Sequence, residues 1–119
     1  AEVSEKHHPN LNMMFQNLFK ELPVATVVDS KVFVVHGGLP RDPRVELKDI
    51  RKVERKVLEL ARPTCLDTGI MWDLLWADPM EHHLGVMMNP NRGEDVVFFG
   101  ADITHHFLSQ NALSLCIRS

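Results

Sequence analysis

The chain has 119 residues, is 45 % hydrophobic and carries a formal net charge of −3 at pH 7. This length supports one domain with a modest core, and no basic cluster reaches the density of a nucleic-acid footprint, because acids offset the run RKVERK at 51–56. No apolar run approaches the length of a membrane span, so the sequence predicts a protein that binds neither nucleic acid nor membrane.

The first third of the chain predicts a helix and then a β-hairpin. One helical face is formed by Leu11, Met14, Phe15, Leu18 and Leu22. Pro23 is expected to end this helix. The runs VATVV and KVFVV then flank the polar pair Asp29-Ser30, which is typical of two strands joined by a tight turn. Neither run alternates between apolar and polar residues, so we expect both faces of the hairpin to be covered.

The middle of the chain predicts one more helix and a long irregular segment. A helix is predicted from Val45 to Ala61, because apolar residues share one face and Pro63 follows. Residues 64–95 show no long period, and long irregular segments inside compact domains often carry function.

The C-terminal residues predict a strand, a helix and a last strand. VVFFG at 96–100 is typical of a short strand, and ADITHHFLSQNALS at 101–114 of a helix with Asp102 as its N-cap. LSLCI at 113–117 predicts the last strand. Together with a covered hairpin, this order indicates a layered α/β fold.

The second strand of the hairpin runs into His36, and Gly37 and Gly38 follow at once. A strand end holds a side chain rigidly, and a neutral imidazole suits a transition metal. Glycines with positive φ would let the chain bend beneath such a site.

Two other interpretations of His36-Gly37-Gly38 stay open from these residues alone. One is a plain strand exit through a Gly-Gly turn, and the other is the His-Gly-Gly oxyanion-hole loop of some α/β-hydrolase esterases. The esterase needs a G-x-S-x-G elbow, which this sequence lacks.

Two polar residues of the irregular segment are further candidates. Arg92 precedes Gly93, and its planar guanidinium group suits phosphate oxygens, although an arginine in a loop also commonly faces solvent. Asp78 lies in the sequence WADP, where an acid is commonly a turn residue.

Histidine pairs and cysteines carry no comparable signal. The pairs at 7–8, 82–83 and 105–106 lack the H-E-x-x-H spacing of a zinc site, so we predict no metal binding there. Cys65 and Cys116 fit neither zinc nor thioredoxin spacing and indicate reduced thiols in a cytoplasmic or nuclear protein.

Six motifs follow one another along the chain: LPVATVV, VHGGL, DIRKVER, DLLWADP, NRG…FFG and FLSQNALSLCIRS. In this order and spacing they closely resemble the PPP family of metal-dependent protein serine/threonine phosphatases. LKDIRKVER is most similar to the branch that includes the type 5 and EF-hand-containing phosphatases. The resemblance covers nearly the whole chain. It implies an α/β fold in which the chain forms part of a four-layer metallophosphoesterase β-sandwich of mixed sheets flanked by helices.

The resemblance implies roles for five residues. His36 matches a ligand of the catalytic metal pair, and Arg92 matches the catalytic arginine that binds the substrate phosphate. Asp78 and Trp76 match the Trp-x-Asp-Pro loop that lines the substrate groove. Arg118 matches the arginine of an R-x-H motif, and it would support the site, since the metal-ligand histidine of that motif would come after the last residue.

The resemblance also implies what lies outside the chain. The upstream G-D-x-H-G, G-D-x-x-D-R-G and G-N-H-E motifs are absent, so we expect residues 1–119 to be the middle to C-terminal portion of a catalytic domain. The complete enzyme would hold two metal ions, manganese, iron or zinc, that activate a hydroxide to attack phosphoserine or phosphothreonine esters. We expect this chain alone to hold no metal stably and to be inactive.

Phosphorylated proteins are the expected substrates, and regulatory domains or subunits are expected outside this chain. The alternative function is a non-catalytic, phosphatase-like binding or scaffold module.

Overall fold

A computed structural model describes residues 2–54, 66–93 and 95–119. The helices are α1 Glu2–Lys6, α2 Pro9–Glu21, α3 Leu47–Ile50, α4 Leu66–Trp76 and α5 Ala101–Gln110. The strands are β1 Ala25–Val28, β2 Val32–Val35, β3 Asp78–Pro79, β4 Val86–Met88, β5 Val97–Phe99 and β6 Leu115–Arg118. The α/β class predicted from the sequence is confirmed. In these three ranges no helix has both the length and the apolar character needed to cross a membrane.

The first sheet joins the predicted hairpin to the last strand. β1 pairs antiparallel with β2, and the two turn residues between them, Asp29 and Ser30, have φ angles of 50° and 53°. A turn with both central residues at positive φ matches the twist of the strands, which is why this polar pair can close the hairpin. β6 pairs in parallel with β2 and places Arg118 opposite Val35. The carboxyl ends of β2 and β6 therefore lie side by side, next to His36.

Burial alternates along the hairpin, so the expectation that both faces are covered is wrong for the described residues. Phe33 and Val35 are buried, whereas Val28 is 51 % exposed. The ring of Phe33 packs against that of Phe107 in α5, with 5.1 Å between centroids. The sequence conceals this alternation because valine occupies both faces of the strands.

The second sheet has the order β3-β5-β4, with β5 parallel to β3 and antiparallel to β4. Its central strand packs into the same core as the first sheet, α4 and α5. The buried core includes Phe33, Val35, Leu39, Ile70, Leu74, Val97, Phe99 and Phe107. Both sheets therefore mix parallel and antiparallel pairs, as the family resemblance implies.

The predicted helix between Val45 and Ala61 is wrong over most of its described part. Only Leu47–Ile50 is helical, and residues 55–61 lie outside the described residues. The amides of Lys52 and Val53 bond to carbonyls three residues earlier, which tightens the chain into turns and allows Val53 to be buried.

α4 lies within the segment that the sequence predicts to be irregular. Ile70, Met71 and Leu74 are buried, and so is the charged Asp73 among them. A helix that contacts protein on several sides has no single apolar stripe, and therefore lacks the period that identifies surface helices.

α5 is shorter than predicted and has a different cap. It ends at Gln110, and its N-cap is Gly100 rather than Asp102. The carboxylate of Asp102 instead accepts hydrogen bonds from the Gly85 amide, at 2.9 Å from each oxygen.

Candidate active site

Gly37 and Gly38 bring the end of strand β2 against the C-terminus of α4. Gly37 N donates to the carbonyl of Leu74 at 2.8 Å, and Gly38 N donates to the carbonyl of Asp73 at 3.2 Å. These carbonyls belong to the last turn of α4, where amide donors from the helix become scarce, although the Asp73 carbonyl also accepts from Ala77 N at 3.0 Å. The glycine amides therefore cap this helix.

The contact requires glycine because no side chain fits there. A Cβ on Gly37 would lie 2.4 Å from the carbonyl carbon of Leu75, and one on Gly38 would lie 2.3 Å from Cε1 of Phe99. Neither glycine has positive φ, which the described glycines adopt only at positions 85 and 93. The expectation of positive φ at Gly37 and Gly38 is thus wrong, and close approach is the reason for both glycines.

The same hydrogen bonds decide between two interpretations of the sequence VHGGL. An oxyanion hole needs backbone amides that point at the substrate and are free to donate. The amides of Gly37 and Gly38 are already bonded to α4. The esterase interpretation is therefore wrong.

His36 follows the last residue of β2 and is exposed. Its backbone carbonyl accepts a hydrogen bond from Ser119 N at 3.3 Å, which holds the strand end beside β6. No described residue bonds to its imidazole, so the ring is open to an incoming ligand. Among residues 2–54, 66–93 and 95–119, no three His, Cys, Asp or Glu side chains converge into a metal-binding group. His36 therefore fits a metal site as a single nitrogen donor, within a set that these residues do not complete.

Asp78 is the centre of a polar network. Its Oδ2 lies 3.1 Å from Nε of Arg92, and its Oδ1 lies 3.2 Å from Nη2 of Arg118. Asn89 Nδ2 also donates to Oδ2, at 3.1 Å. The side chain of Asp78 is only 15 % exposed, so these donors replace much of its hydration. Two cations on one carboxylate leave a local excess of positive charge, which favours an anion at this surface.

The two arginines of this network differ in how many of their guanidinium nitrogens bond to described residues. Arg118 is used internally, because its Nε also donates to the carbonyl of Gly37 at 2.6 Å. The Arg92 side chain is 49 % exposed, and its terminal nitrogens have no partner in the described part of the chain. Arg92 can therefore bind an external oxyanion, whereas Arg118 joins the loop after His36 to Asp78.

Trp76 is the last residue of α4, and its ring packs against that of Trp72 with 5.8 Å between centroids. It is 38 % exposed and makes no hydrogen bond to the described residues around Asp78. Its role in substrate binding stays a prediction.

Asn89 also belongs to the network around Asp78, although no sequence motif pointed to it. It is 2 % exposed, donates to Asp78, and accepts a hydrogen bond from Asn91 N at its Oδ1, 3.1 Å away. Asn89 precedes Pro90, and an Asn-Pro pair is a turn signal, which is the one local feature that could have drawn attention to this residue.

The histidine pairs have local contacts instead of a shared centre. His8 Nδ1 accepts from Asn10 N at 3.3 Å as the N-cap of α2, and a ring nitrogen of His106 lies 3.0 Å from the carbonyl of Pro43.

Cys116 is a free thiol. Burial raises the pKa of this thiol, which keeps it protonated and a weak nucleophile.

Comparison with known proteins identifies the class. The family model for calcineurin-like phosphoesterases matches residues 2–119, and the chain belongs to this family. Membership implies divalent-metal cofactors. The relatives are more specific: the chain is 37 % identical over 125 residues to serine/threonine-protein phosphatase 5 of Rattus norvegicus. It is 36 % identical over 118 residues to serine/threonine-protein phosphatase T of Saccharomyces cerevisiae.

The chain spans about a fifth of the length of these relatives. The alignments cover 100 % and 99 % of this chain, but 22 % and 21 % of the two relatives. A solved Saccharomyces cerevisiae protein serine/threonine phosphatase, described as similar to human phosphatase PP5, superposes with a TM-score of 0.82 at 36 % identity. That superposition covers 98 % of this chain and 34 % of the solved one. The resemblance stated from the motifs is confirmed.

Proposed function

We propose that this chain supplies part of the catalytic centre of a protein serine/threonine phosphatase. The observation that carries the proposal is the series of contacts from the Gly37 carbonyl through Arg118 and Asp78 to Arg92. It joins the strand end that bears an open imidazole to an arginine with free donors. A metal donor beside a phosphate-binding cation is the combination that phosphate-ester hydrolysis requires.

Each residue has a separate task in this proposal. His36 would donate an imidazole nitrogen to manganese, iron or zinc, all of which accept such a ligand. Bound metal ions would lower the pKa of a water molecule and polarise the phosphate. Arg92 binds phosphate oxygens through its terminal nitrogens and stabilises the charge that develops on them. Asp78 and Arg118 hold Arg92 in place, and Trp76 lines the substrate groove.

The proposal extends to the whole protein. The solved phosphatase is matched over 34 % of its length, which supports residues 1–119 as one portion of a catalytic domain, and the missing upstream motifs favour its middle to C-terminal portion. Phosphoserine and phosphothreonine proteins are the proposed substrates, as the names of the relatives suggest. The greater length of those relatives leaves room for regulatory domains. A cytoplasmic or nuclear location stays a prediction from the cysteine pattern.

The test uses the full-length protein that contains this chain. Incubated with a phosphoserine peptide and Mn²⁺, it is expected to release inorganic phosphate, and chelation of the metal should abolish the release. Iron and zinc are tried in parallel. Binding of the phosphopeptide without phosphate release under all three metals would contradict the proposal and support the scaffold alternative.

A further inference from the structure

A second ionic cluster, separate from the Asp78 network, lies between Arg41 and Asp73. Arg41 N donates to Asp73 Oδ2 at 2.8 Å, Nε lies 3.0 Å from Oδ2, and Nη2 lies 2.7 Å from Oδ1. Asp73 is 1 % exposed, and a carboxylate buried in this way needs a paired, hydrogen-bonded cation. The hydrogen bond to Asp73 raises the pKa of Arg41 above its usual value, so the guanidinium stays charged. Nε and Nη2 of Arg41 both bond to this carboxylate, which fixes the orientation of the guanidinium group.

The same guanidinium group reaches a third segment. Arg41 Nη2 donates to the backbone carbonyl of Asp95 at 2.6 Å, and Trp72 Nε1 donates to this carbonyl at 3.0 Å. Asp95 lies at the base of the loop that carries Arg92, next to the hydrogen bond from Asn89 N to the Val96 carbonyl at 2.8 Å. Two side-chain donors therefore hold the base of this loop, in addition to its backbone pairing between β4 and β5.

Arg41 itself belongs to the loop that begins at His36. Its backbone is held close to α4, since Gly37, Gly38 and Arg41 all donate amide hydrogens to residues of that helix. One side chain thus connects the loop after His36 to α4 and to the loop of Arg92. Its partners Asp73 and Asp95 lie 32 and 54 residues further along the chain.

We propose that Arg41 is a positioning residue, which sets the location of the Arg92 loop relative to His36 through its bond to the Asp95 carbonyl. The effect of Arg41 on kinetics rests on the phosphatase function proposed above. The connection from Arg41 to the Asp95 carbonyl does not depend on that function. A residue that only neutralised Asp73 could be replaced by lysine. The ammonium group of lysine can pair with Asp73, but it has no planar fork that reaches the carboxylate and the Asp95 carbonyl together.

The experiment compares the full-length protein with its Arg41→Lys variant, with Arg44→Lys as the matched control. Arg44 lies in the same loop, its side chain is 88 % exposed and it pairs with Asp42. The first readout is the indole ¹H–¹⁵N resonance of Trp72, assigned with Trp72→Phe, because this indole shares the Asp95 carbonyl. The second is the dissociation constant of inorganic phosphate, with kcat and KM for a phosphoserine peptide.

Arg41→Lys is expected to shift the Trp72 resonance and to weaken phosphate binding roughly three- to tenfold, as loss of one hydrogen bond would. KM should rise by a larger factor than kcat falls, and Arg44→Lys should change neither readout. Trp72→Phe removes the other donor to Asp95 but keeps the Arg41–Asp73 pair. It should weaken phosphate binding in the same direction, which keeps the test valid if Arg41→Lys does not fold.

Unchanged phosphate affinity in Arg41→Lys and Trp72→Phe would overturn the positioning role, whether or not the Trp72 resonance moves. An unshifted Trp72 resonance in folded Arg41→Lys would overturn the connection to Asp95. Absence of phosphate release by the unsubstituted full-length protein would instead count against the proposed function, and the Trp72 resonance would still test the connection.

Discussion

Arg118 and Asp78 lie 3.2 Å apart, measured from Nη2 to Oδ1, and they join parts of the chain that are 40 residues apart. Because Arg118 also donates to the Gly37 carbonyl, the position of Asp78 depends on the loop that follows His36. The other oxygen of Asp78, Oδ2, accepts a hydrogen bond from Asn89 and pairs with Arg92. Both oxygens of Asp78 are thus occupied by protein donors. We infer that Asp78 acts on a substrate through the arginines that it holds.

The first prediction concerns Asp78→Asn in the full-length protein. Asparagine keeps the size of the side chain but loses the charge that attracts Arg92 and Arg118. Hydrogen bonds to charged groups contribute about 1.5–3 kcal/mol, so kcat/KM for a phosphoserine peptide should fall on the order of tenfold to a hundredfold. Glu81→Gln is the control, because its carboxylate lies in the same segment but is 95 % exposed. An equal effect of both substitutions would contradict the role of Asp78.

The second prediction separates the roles of His36 and Arg92. His36→Ala removes the proposed metal donor, so metal affinity should fall by about 10–100-fold or more, and excess metal should restore part of the activity. Arg92→Ala leaves the metal donors in place but removes the free guanidinium nitrogens. Its kcat/KM should fall by on the order of tenfold to a few hundredfold, and added metal should not restore it.

The measurement is metal content and steady-state kinetics of both variants, side by side. Rescue of Arg92→Ala by metal would show that the two roles are assigned the wrong way round. Full metal content and full activity in His36→Ala would remove His36 from the metal site.

Much of the fold could be predicted from local sequence, and its limits have physical causes. The hairpin could be predicted because polar turn residues separate two β-branched runs. Helix α2 could be predicted because its apolar residues recur on one face. α4 could not be recognised, since a helix buried on several sides has no amphipathic period. The end of α3 depends on burial of Val53, which is a tertiary contact and leaves no local signal.

The candidate site could be proposed from the sequence only in its separate parts. The family motifs point to His36, Arg92, Asp78 and Arg118 as candidates, but only the fold shows that Asp78 joins the two arginines. Close approach to backbone atoms of α4, and not the expected positive φ, is the reason for glycine at position 37, whereas positive φ occurs at Gly93 with a value of 110°. Sequence cannot separate these two reasons, because both require the absence of a Cβ.

The third prediction tests this difference between the glycines. Gly37→Ala would place a Cβ 2.4 Å from a backbone carbon of Leu75, so the end of β2 and the C-terminus of α4 must move apart. Overpacking costs about 1–3 kcal/mol of unfolding free energy, and more where, as here, the clash is with backbone atoms that cannot rotate away. Gly93→Ala has open space, so it costs only the backbone strain of a positive φ, about 1–3 kcal/mol. Urea denaturation of the full-length variants should therefore show the larger loss for Gly37→Ala, and the reverse order would contradict the packing argument.

The fourth prediction concerns the pH dependence of the loop before β4. The amide of Gly85 donates to the Asp102 carboxylate, and this hydrogen bond is the main cause of a lowered pKa at Asp102. A lowered carboxyl pKa means that the stabilisation is complete above the ordinary value of about 3.9 and is lost as pH falls through the folded-state pKa. The Gly85 amide resonance should therefore move on acidification with a midpoint below that ordinary value. Asp102→Asn should abolish this titration, and its persistence in that variant would assign it to another group.

The fifth prediction follows from the exposed apolar face of α2. Met14, Leu18 and Leu22 are 63 %, 52 % and 47 % exposed, and β1 is an edge strand of the first sheet. Contiguous exposed apolar surface and unpaired strand edges both favour association, so the 119-residue chain on its own should self-associate and melt without a sharp monomeric transition. Leu18→Glu should lower the apparent mass in analytical ultracentrifugation, because it places a charge in the apolar face. Gln16→Glu adds the same charge at an exposed polar position of the same helix and should have little effect. If the unsubstituted chain stays monomeric across the concentration range and unfolds cooperatively, its own core is sufficient and the exposed face of α2 does not drive association.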